Sequence, residues 1–139
     1  MRAIKTQQKL YCGIDVSGDT LDVCYQGPEG SLEWYKCTNT AEGFKEIWQL
    51  TGKLYHFVME STGVYQLPFC FFLELKKARY SVVNALQIKR YIQMKLERNK
   101  TDKKDAFHIC MYGADHHPEC YKMPSHLYFE CRAINNAIE

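Results

Sequence analysis

The sequence predicts an α/β protein in which helices cover a mixed β-sheet. Three strand-like segments separated by short turns open the chain, and strands alternate with helices after them. A meander followed by strand–helix alternation predicts a sheet that is antiparallel on one side and parallel where the crossovers occur. The predicted order is β-β-β-α-β-α-β-α with additional helices. A length of 139 residues, 46% of them hydrophobic, suits one domain with a substantial core.

Turn-forming residues bound the three opening strands. Residues 10–16 are a compact apolar run with β-branched side chains, and a Ser-Gly-Asp turn follows at 17–19. Residues 20–25 alternate in polarity and are rich in strand-forming residues. A second turn, Gly-Pro-Glu-Gly at 27–30, precedes a third strand at 32–37. The chain is therefore expected to begin with a three-stranded meander.

The middle of the chain alternates between helix and strand. Thr40 is a suitable N-cap for a helix over 41–50, whose apolar residues fall on one face. Residues 55–59 have the pattern of a buried strand. A helical stretch is expected from 63 to about 78, with Pro68 causing either a kink or a late start.

The last part of the chain is predicted to be mostly helical. A short strand at 80–83 precedes a basic helix at 85–96, and a further helix is expected from a cap at Thr101 to about Tyr112. Residues 115–118, Asp-His-His-Pro, have turn composition. His116 and His117 are expected in an exposed turn, with proton transfer beside acids as the alternative. An amphipathic segment begins at Pro124.

The net charge of +2 hides an uneven distribution along the chain. Residues 1–75 carry −3, residues 76–104 carry +8 and residues 105–139 carry −3. The basic segment indicates a surface that faces a polyanion, although a solvated lysine-rich helix face gives the same pattern. Tyr91 could stack on a base or could pack on the sheet. The candidate nucleic-acid contacts are Lys89, Arg90, Lys95, Arg98, Lys100, Lys103 and Lys104.

Cysteine usage and hydropathy indicate the compartment. The chain has seven cysteines at irregular spacing, whereas a disulfide framework usually has an even set in a smaller chain. No C-x-x-C pair supports a zinc site. No apolar run approaches the roughly 20 residues of a membrane-spanning helix, and the polar N-terminus does not resemble a secretory signal. We therefore expect reduced thiols in a cytoplasmic protein that has no membrane contact.

Acidic residues stand at two predicted strand ends and on one helix. Asp15 ends the first strand and Glu60 the fourth, where ligands bind in sheets of this kind. Asp102 and Asp105 are three apart and share a helix face. Converging carboxylates repel each other unless cations neutralise them, which favours Mg²⁺ or Mn²⁺. Singly, each acid could instead be a turn residue or a helix-terminal charge.

Several sequence blocks resemble those of one family. The blocks are Gly-Ile-Asp-Val-Ser at 13–17 with Thr-Leu-Asp-Val at 20–23, Met-Glu-Ser-Thr-Gly-Val-Tyr at 59–65, Val-Val-Asn at 82–84 and Lys-Thr-Asp-Lys-Lys-Asp-Ala at 100–106. In this order they resemble the N-terminal RuvC-like domain of the DEDD transposases of insertion sequences. That family includes pilin-gene invertases and bridge-RNA-guided recombinases. The first block alone is weak evidence, because actin-like kinases share it. The last block is more specific.

The resemblance implies a ribonuclease-H-like fold and a catalytic, metal-binding tetrad of Asp15, Glu60, Asp102 and Asp105. It also implies Mg²⁺, for which Mn²⁺ could substitute, and DNA as the partner, in some members directed by a structured guide RNA. We further expect a homo-oligomer. Gly18 stands where the family often has lysine, so a phosphate contact from that position is not carried over.

The resemblance also bears on how the chain is organised. Residues 1–112 are expected to form the RuvC-like domain, and residues 113–139 to begin the linker toward a second domain. In this family the second domain carries a nucleophilic serine. We expect the chain to be a fragment without that domain and therefore inactive in recombination alone.

Other functions remain open at the level of sequence. One is a standalone RuvC-like nuclease or junction resolvase, complete in one domain. Another is a non-catalytic, dimerising nucleic-acid-binding module in which the acids are structural. A sugar-kinase fragment is a remote alternative suggested only by the opening Gly-Ile-Asp strand.

Overall fold

The computed structural model describes residues 9–98 and 105–138, with side chains described over 9–95 and 105–135. A short 3₁₀ turn at Gly52–Leu54 joins the first helix to the fourth strand. The strands are β1 (Leu10–Val16), β2 (Thr20–Gln26), β3 (Leu32–Thr38), β4 (Tyr55–Glu60) and β5 (Arg79–Val83). The helices are α1 (Ala41–Thr51), α2 (Leu67–Leu75), α3 (Ala85–Arg98), α4 (Asp105–His116) and α5 (Ser125–Ile138).

The five strands form one mixed sheet in the order β3-β2-β1-β4-β5. The β1–β2 and β2–β3 pairs are antiparallel, as expected for a meander. The β1–β4 and β4–β5 pairs are parallel, because helical crossovers return the chain to the same end of the sheet. The predicted α/β class and mixed sheet are confirmed.

Local sequence explains where two of the helices begin. The Thr40 side chain accepts a hydrogen bond from the Gly43 amide, so the predicted cap of α1 is confirmed. The helix expected from residue 63 begins only at Leu67, with Pro68 in its first turn. Proline is tolerated there because first-turn amides have no intrahelical acceptor. Pro68 therefore marks a late start rather than a kink.

The end of α4 differs from the sequence-based prediction. The helix continues past Tyr112 to His116, so Asp115 and His116 are helical and not in a turn. His117 has a φ of 48°, and its amide donates to the Gly113 carbonyl. Turn composition alone was misleading, because the last helical turn packs against α3: the Tyr91 hydroxyl donates to Asp115 at 2.6 Å.

The sheet has a separate apolar layer on each face. On one face α1 and α2 cover the sheet, with Phe44, Ile47 and Phe69 at the centre of the layer. On the other face Ile88 of α3 and Ile109 of α4 pack against the strands. Helix α5 lies on α2, where the Tyr128 and Phe71 ring centroids are 5.4 Å apart. In the described part of the chain, no helix has both the length and the apolar character needed to cross a membrane.

Candidate active site at the carboxyl ends of the parallel strands

Asp15 and Glu60 lie side by side at the carboxyl ends of β1 and β4. The parallel register pairs Ile14 with Met59, and both of those side chains are buried on the α1 face. Because successive side chains of a strand point to opposite faces, Asp15 and Glu60 point to the α4 face. The structure thus brings together two of the predicted site residues.

The position of α4 brings Asp105 near Asp15 and Glu60. The helix crosses β1 so closely that a Cβ on Gly13 would lie 2.3 Å from the Cys110 backbone nitrogen and 2.5 Å from the Ala106 carbonyl oxygen. Only a residue without a side chain permits this approach. The close packing fixes the first turn of α4, and with it Asp105, above the ends of β1 and β4.

The three carboxylates interact electrostatically. Burial raises the pKa of Asp15, and the negative charges of Asp105 and Asp22 raise it further. Burial likewise raises the pKa of Glu60, with further contributions from Asp105 and Asp15. Because the charge of Asp105 adds to the effect of burial at both strand-end acids, a cation bound beside them would relieve the repulsion.

Asp22 is an acid that the sequence interpretation did not select for the site. It pairs directly with Asp15 across the β1–β2 hairpin, and Lys36 of β3 pairs with Asp22 on its other side. Directly opposed side chains lie on the same face of a sheet. Lys36, Asp22, Asp15 and Glu60 therefore form one row across four strands. The predicted turn at 17–19 would have paired Asp15 with Leu21, whereas the observed register, centred on residues 18 and 19, pairs it with Asp22.

Asn39 is another residue near the site that the sequence did not indicate. Its amide nitrogen donates to the Ser17 carbonyl at 2.9 Å and to the Tyr65 carbonyl at 3.0 Å. These carbonyls belong to the loops that follow β1 and β4, so Asn39 holds together the two loops beside Asp15 and Glu60. No motif or charge pattern marks such a residue, because its role depends on loops far apart in sequence.

The predicted nucleic-acid contacts fall into two groups. Lys89 and Arg90 are exposed on α3. Lys95 is also exposed, but it forms an ion pair with Asp115 at 3.6 Å and lies over the Tyr91 ring. Arg98 ends α3, and its side chain lies outside the described residues. The other predicted contacts, Lys100, Lys103 and Lys104, lie outside the described residues. The predicted metal ligand Asp102 lies outside them as well.

The packing contradicts two of the hypotheses drawn from sequence, namely base stacking by Tyr91 and proton transfer by His117. Tyr91 is buried between α3 and α4, so its ring is unavailable for stacking on a base. His117 bonds through Nδ1 to the Tyr11 hydroxyl at 2.9 Å. Tyr11 lies near the start of β1, at the opposite end from Asp15. His117 is therefore not positioned to move protons at the carboxylates.

The donor set is consistent with a hard divalent cation. Carboxylate oxygens are the ligands that Mg²⁺ and Mn²⁺ prefer. Within residues 9–98 and 105–138, no group of three or more His, Cys, Asp or Glu is close enough to hold a metal ion. Asp15, Glu60 and Asp105 therefore do not form a complete metal site by themselves, and Asp102, which lies outside the described residues, is the remaining candidate ligand.

The mixed sheet with helices on both faces is a ribonuclease-H-like fold, as its likeness to a solved structure shows. The structure of Thermus thermophilus RuvC in complex with a Holliday junction substrate superposes with a TM-score of 0.54 and 9% identity, covering 81% of this chain and 99% of that one. The transposase family of the IS110 DEDD type matches residues 12–138. The chain belongs to this DEDD transposase family.

Two curated relatives agree with this assignment. The pilin gene-inverting proteins of Moraxella bovis and Moraxella lacunata are each 31% identical over 125 residues, covering 84% of this chain. The chain spans 38% of the length of each relative. DEDD transposases and RuvC-like nucleases generally use divalent metal ions.

Proposed function

We propose that this chain is the metal-dependent catalytic portion of a DNA transposase or recombinase. Asp15, Glu60, Asp102 and Asp105 are the proposed ligands and catalytic residues. The observation that carries the proposal is the position of Asp105 near Asp15 and Glu60 at one edge of the sheet, where burial and the charge of Asp105 raise the pKa values of both strand-end carboxyls. Four such groups suit two bound cations.

The proposed metal ligands stand on two supports, the ends of β1 and β4 and the first turn of α4. Bound Mg²⁺ or Mn²⁺ would supply Lewis-acid stabilisation of the charge that develops at the scissile phosphate. Asp15 and Glu60 stand on rigid strands, so they would hold their oxygens in fixed positions. Asp105 stands in the first turn of α4, where the helix dipole stabilises a negative charge. Gly13 maintains the spacing between these two supports.

The metal-dependent part of the proposal is tested by thermal unfolding. Mg²⁺ at ten times its Kd is expected to stabilise the wild-type chain by about 1.4 kcal/mol, because the ion binds only the folded state. The double variant Asp15→Ala/Asp102→Ala is expected to remain folded and to lose this shift. If Mg²⁺ and Mn²⁺ leave the wild-type Tm unchanged, the acids are structural and the non-catalytic binding module is the better interpretation.

The DNA-binding part rests on the exposed basic face of α3. Replacing both Lys89 and Arg90 with alanine is expected to weaken binding of duplex DNA about tenfold, and to reduce the slope of log K against log salt by about 2. Lys45→Ala on α1, on the opposite face of the sheet, is the matched control and is expected to leave both quantities unchanged. If Lys45→Ala loses as much DNA affinity as the Lys89/Arg90 double variant, the basic face of α3 is not a specific DNA-binding surface.

Activity separates a transposase portion from a self-sufficient nuclease. As one part of a longer machinery, the purified chain is expected to bind DNA without completing strand exchange. Metal-dependent cleavage of a branched DNA by the chain alone would instead identify a junction resolvase. Residues 1–112 are the proposed catalytic region, and residues 113–139 the proposed start of a linker toward a serine-containing domain.

We also propose a guide RNA and a homo-oligomer as partners, and a cytoplasmic location. The exposed Lys89 and Arg90 suit the phosphates of a structured RNA as well as those of DNA. Phe129 and Ile134 of α5 are 60% and 62% exposed, which supports contact with a second copy. All seven cysteines are free of disulfides, in keeping with a reducing compartment. Light scattering and RNA gel-shift assays test the two partners.

A further inference from the structure

An open depression lies beside the row of acids, toward the β3 edge of the sheet. It encloses about 390 Å³, including space open to solvent, and it is lined by Asp22, Val23, Trp34, Tyr35 and Lys36. Lys36 pairs in register with Asp22, which pairs in turn with Asp15. Within the depression, Asp22 is therefore about 5 Å and Lys36 about 10 Å, or one and two strand spacings, from Asp15.

Trp34 forms an aromatic wall of this depression. Its side chain is 47% exposed, although tryptophan is a residue that folding usually covers. The indole stacks on Phe107 of α4, with ring centroids 6.3 Å apart and planes inclined by 21°. Phe107 follows Asp105 by two residues. The same first turn of α4 thus supports both the indole and the acidic site.

Lys36 adds a cation to this aromatic wall. Its side chain is exposed, and among the described residues it has no ion pair within 4.0 Å, even though Asp22 is its direct cross-strand neighbour. The depression therefore combines an exposed π-face with an available ammonium group. An aromatic face beside a cation suits a nucleotide, whose base stacks while its phosphate accepts from lysine.

We propose that Trp34 and Lys36 bind an unpaired nucleotide next to the phosphodiester that the acids would process. The base must be unpaired, because the faces of bases inside a duplex are covered by their neighbours. The inference rests on the proposed function, since the depression shares Asp22 with the acidic row. It adds a preference for a frayed, flipped or single-stranded position, which metal binding by itself does not require.

Tryptophan fluorescence tests the stacking directly. The chain has two tryptophans, so Trp48→Phe leaves Trp34 as the only tryptophan, and its emission can be excited at wavelengths that the tyrosines do not absorb. In this background, a short single-stranded oligonucleotide is expected to quench the emission strongly, and a blunt, fully paired duplex to quench it weakly. DNA and RNA strands of the same sequence show which sugar the site prefers, and quenching by either supports the proposal.

Substitutions at Trp34 distinguish two roles of the indole, namely stacking on a nucleotide base and covering the Phe107 ring. Trp34→Leu keeps an apolar cover but has no π-face, and it is expected to bind the single strand about tenfold more weakly while binding the duplex normally. Trp34→Phe is expected to restore much of the affinity. Lys36→Met is expected to weaken single-strand binding and its salt dependence without abolishing the quenching.

The outcomes distinguish this inference from the proposed function. If Trp34→Leu binds single-stranded DNA as tightly as wild type, the nucleotide site is overturned. The same conclusion follows if the variant loses equal affinity for single strand and duplex. Neither result overturns the proposed function. The Mg²⁺-dependent Tm shift is expected to persist in Trp34→Leu, because Trp34 contributes no metal ligand. A wild-type chain that binds neither form of DNA and shows no metal shift overturns both proposals.

Discussion

A Gly13→Ala variant is expected to lose about 3 kcal/mol of unfolding free energy, equivalent to a drop in Tm of about 10 °C. The added Cβ would lie 2.3 Å from a backbone nitrogen and 2.5 Å from a backbone oxygen of α4. Neither atom belongs to a side chain that can rotate away, so the whole helix must move. Thermal unfolding followed by circular dichroism measures the loss.

The matched control is the same substitution at Gly18. A Cβ there would approach only the Tyr65 ring, at 3.4 Å, which is an ordinary contact. Gly18→Ala is therefore expected to change stability by no more than about 0.5 kcal/mol. A Gly13→Ala variant as stable as wild type would show that α4 does not depend on close contact with β1, and would remove the physical basis for placing Asp105 beside Asp15.

Asp15→Asn is expected to have opposite effects on stability without and with divalent metal. Without metal at pH 7, the variant is expected to be more stable than wild type by about 0.5–1 kcal/mol, because it removes a half-buried charge repelled by Asp105 and Asp22. With saturating Mg²⁺ the order is expected to reverse, since the amide is a poorer ligand than the carboxylate.

The pH dependence of this effect follows from the direction of the pKa shift. The folded-state pKa of Asp15 is raised above its ordinary 3.8, so the folded protein holds this proton more tightly than the unfolded chain. Stability contributed by the protonated form is lost as the pH rises from about 3.8 through the raised pKa. The advantage of Asp15→Asn is therefore expected to appear across this window and to vanish below it.

Asp19 provides the control for this substitution. It lies in the exposed turn after β1, so Asp19→Asn is expected to leave Tm unchanged with and without Mg²⁺. Unfolding curves at pH 3.5 and pH 7, each with EDTA or Mg²⁺, give all the comparisons. A destabilised metal-free Asp15→Asn protein would mean that the carboxylate makes a favourable contact in the fold, contrary to the repulsion described above.

Much of the fold could be predicted from sequence because its signals are local. The strand at Leu10–Val16 and the cap at Thr40 depend on neighbouring residues, and both were predicted at their observed positions. The end of α4 was predicted too early, because the contact of Asp115 with Tyr91 of another helix outweighs the turn composition around it. Long-range packing of this kind leaves no periodic trace in the sequence.

The sequence by itself determined that acids would stand at the ends of the first and fourth strands, because an acid at the end of an apolar run is visible in the order of residues. Only the tertiary structure decided which acids face one another. Strand pairing adds Asp22 to Asp15, and the close contact of α4 with Gly13 brings Asp105 to them. The tertiary structure also placed Trp34 and Lys36 beside the row of acids. These arrangements depend on register and on the approach of two backbones, which arise only when distant segments pack.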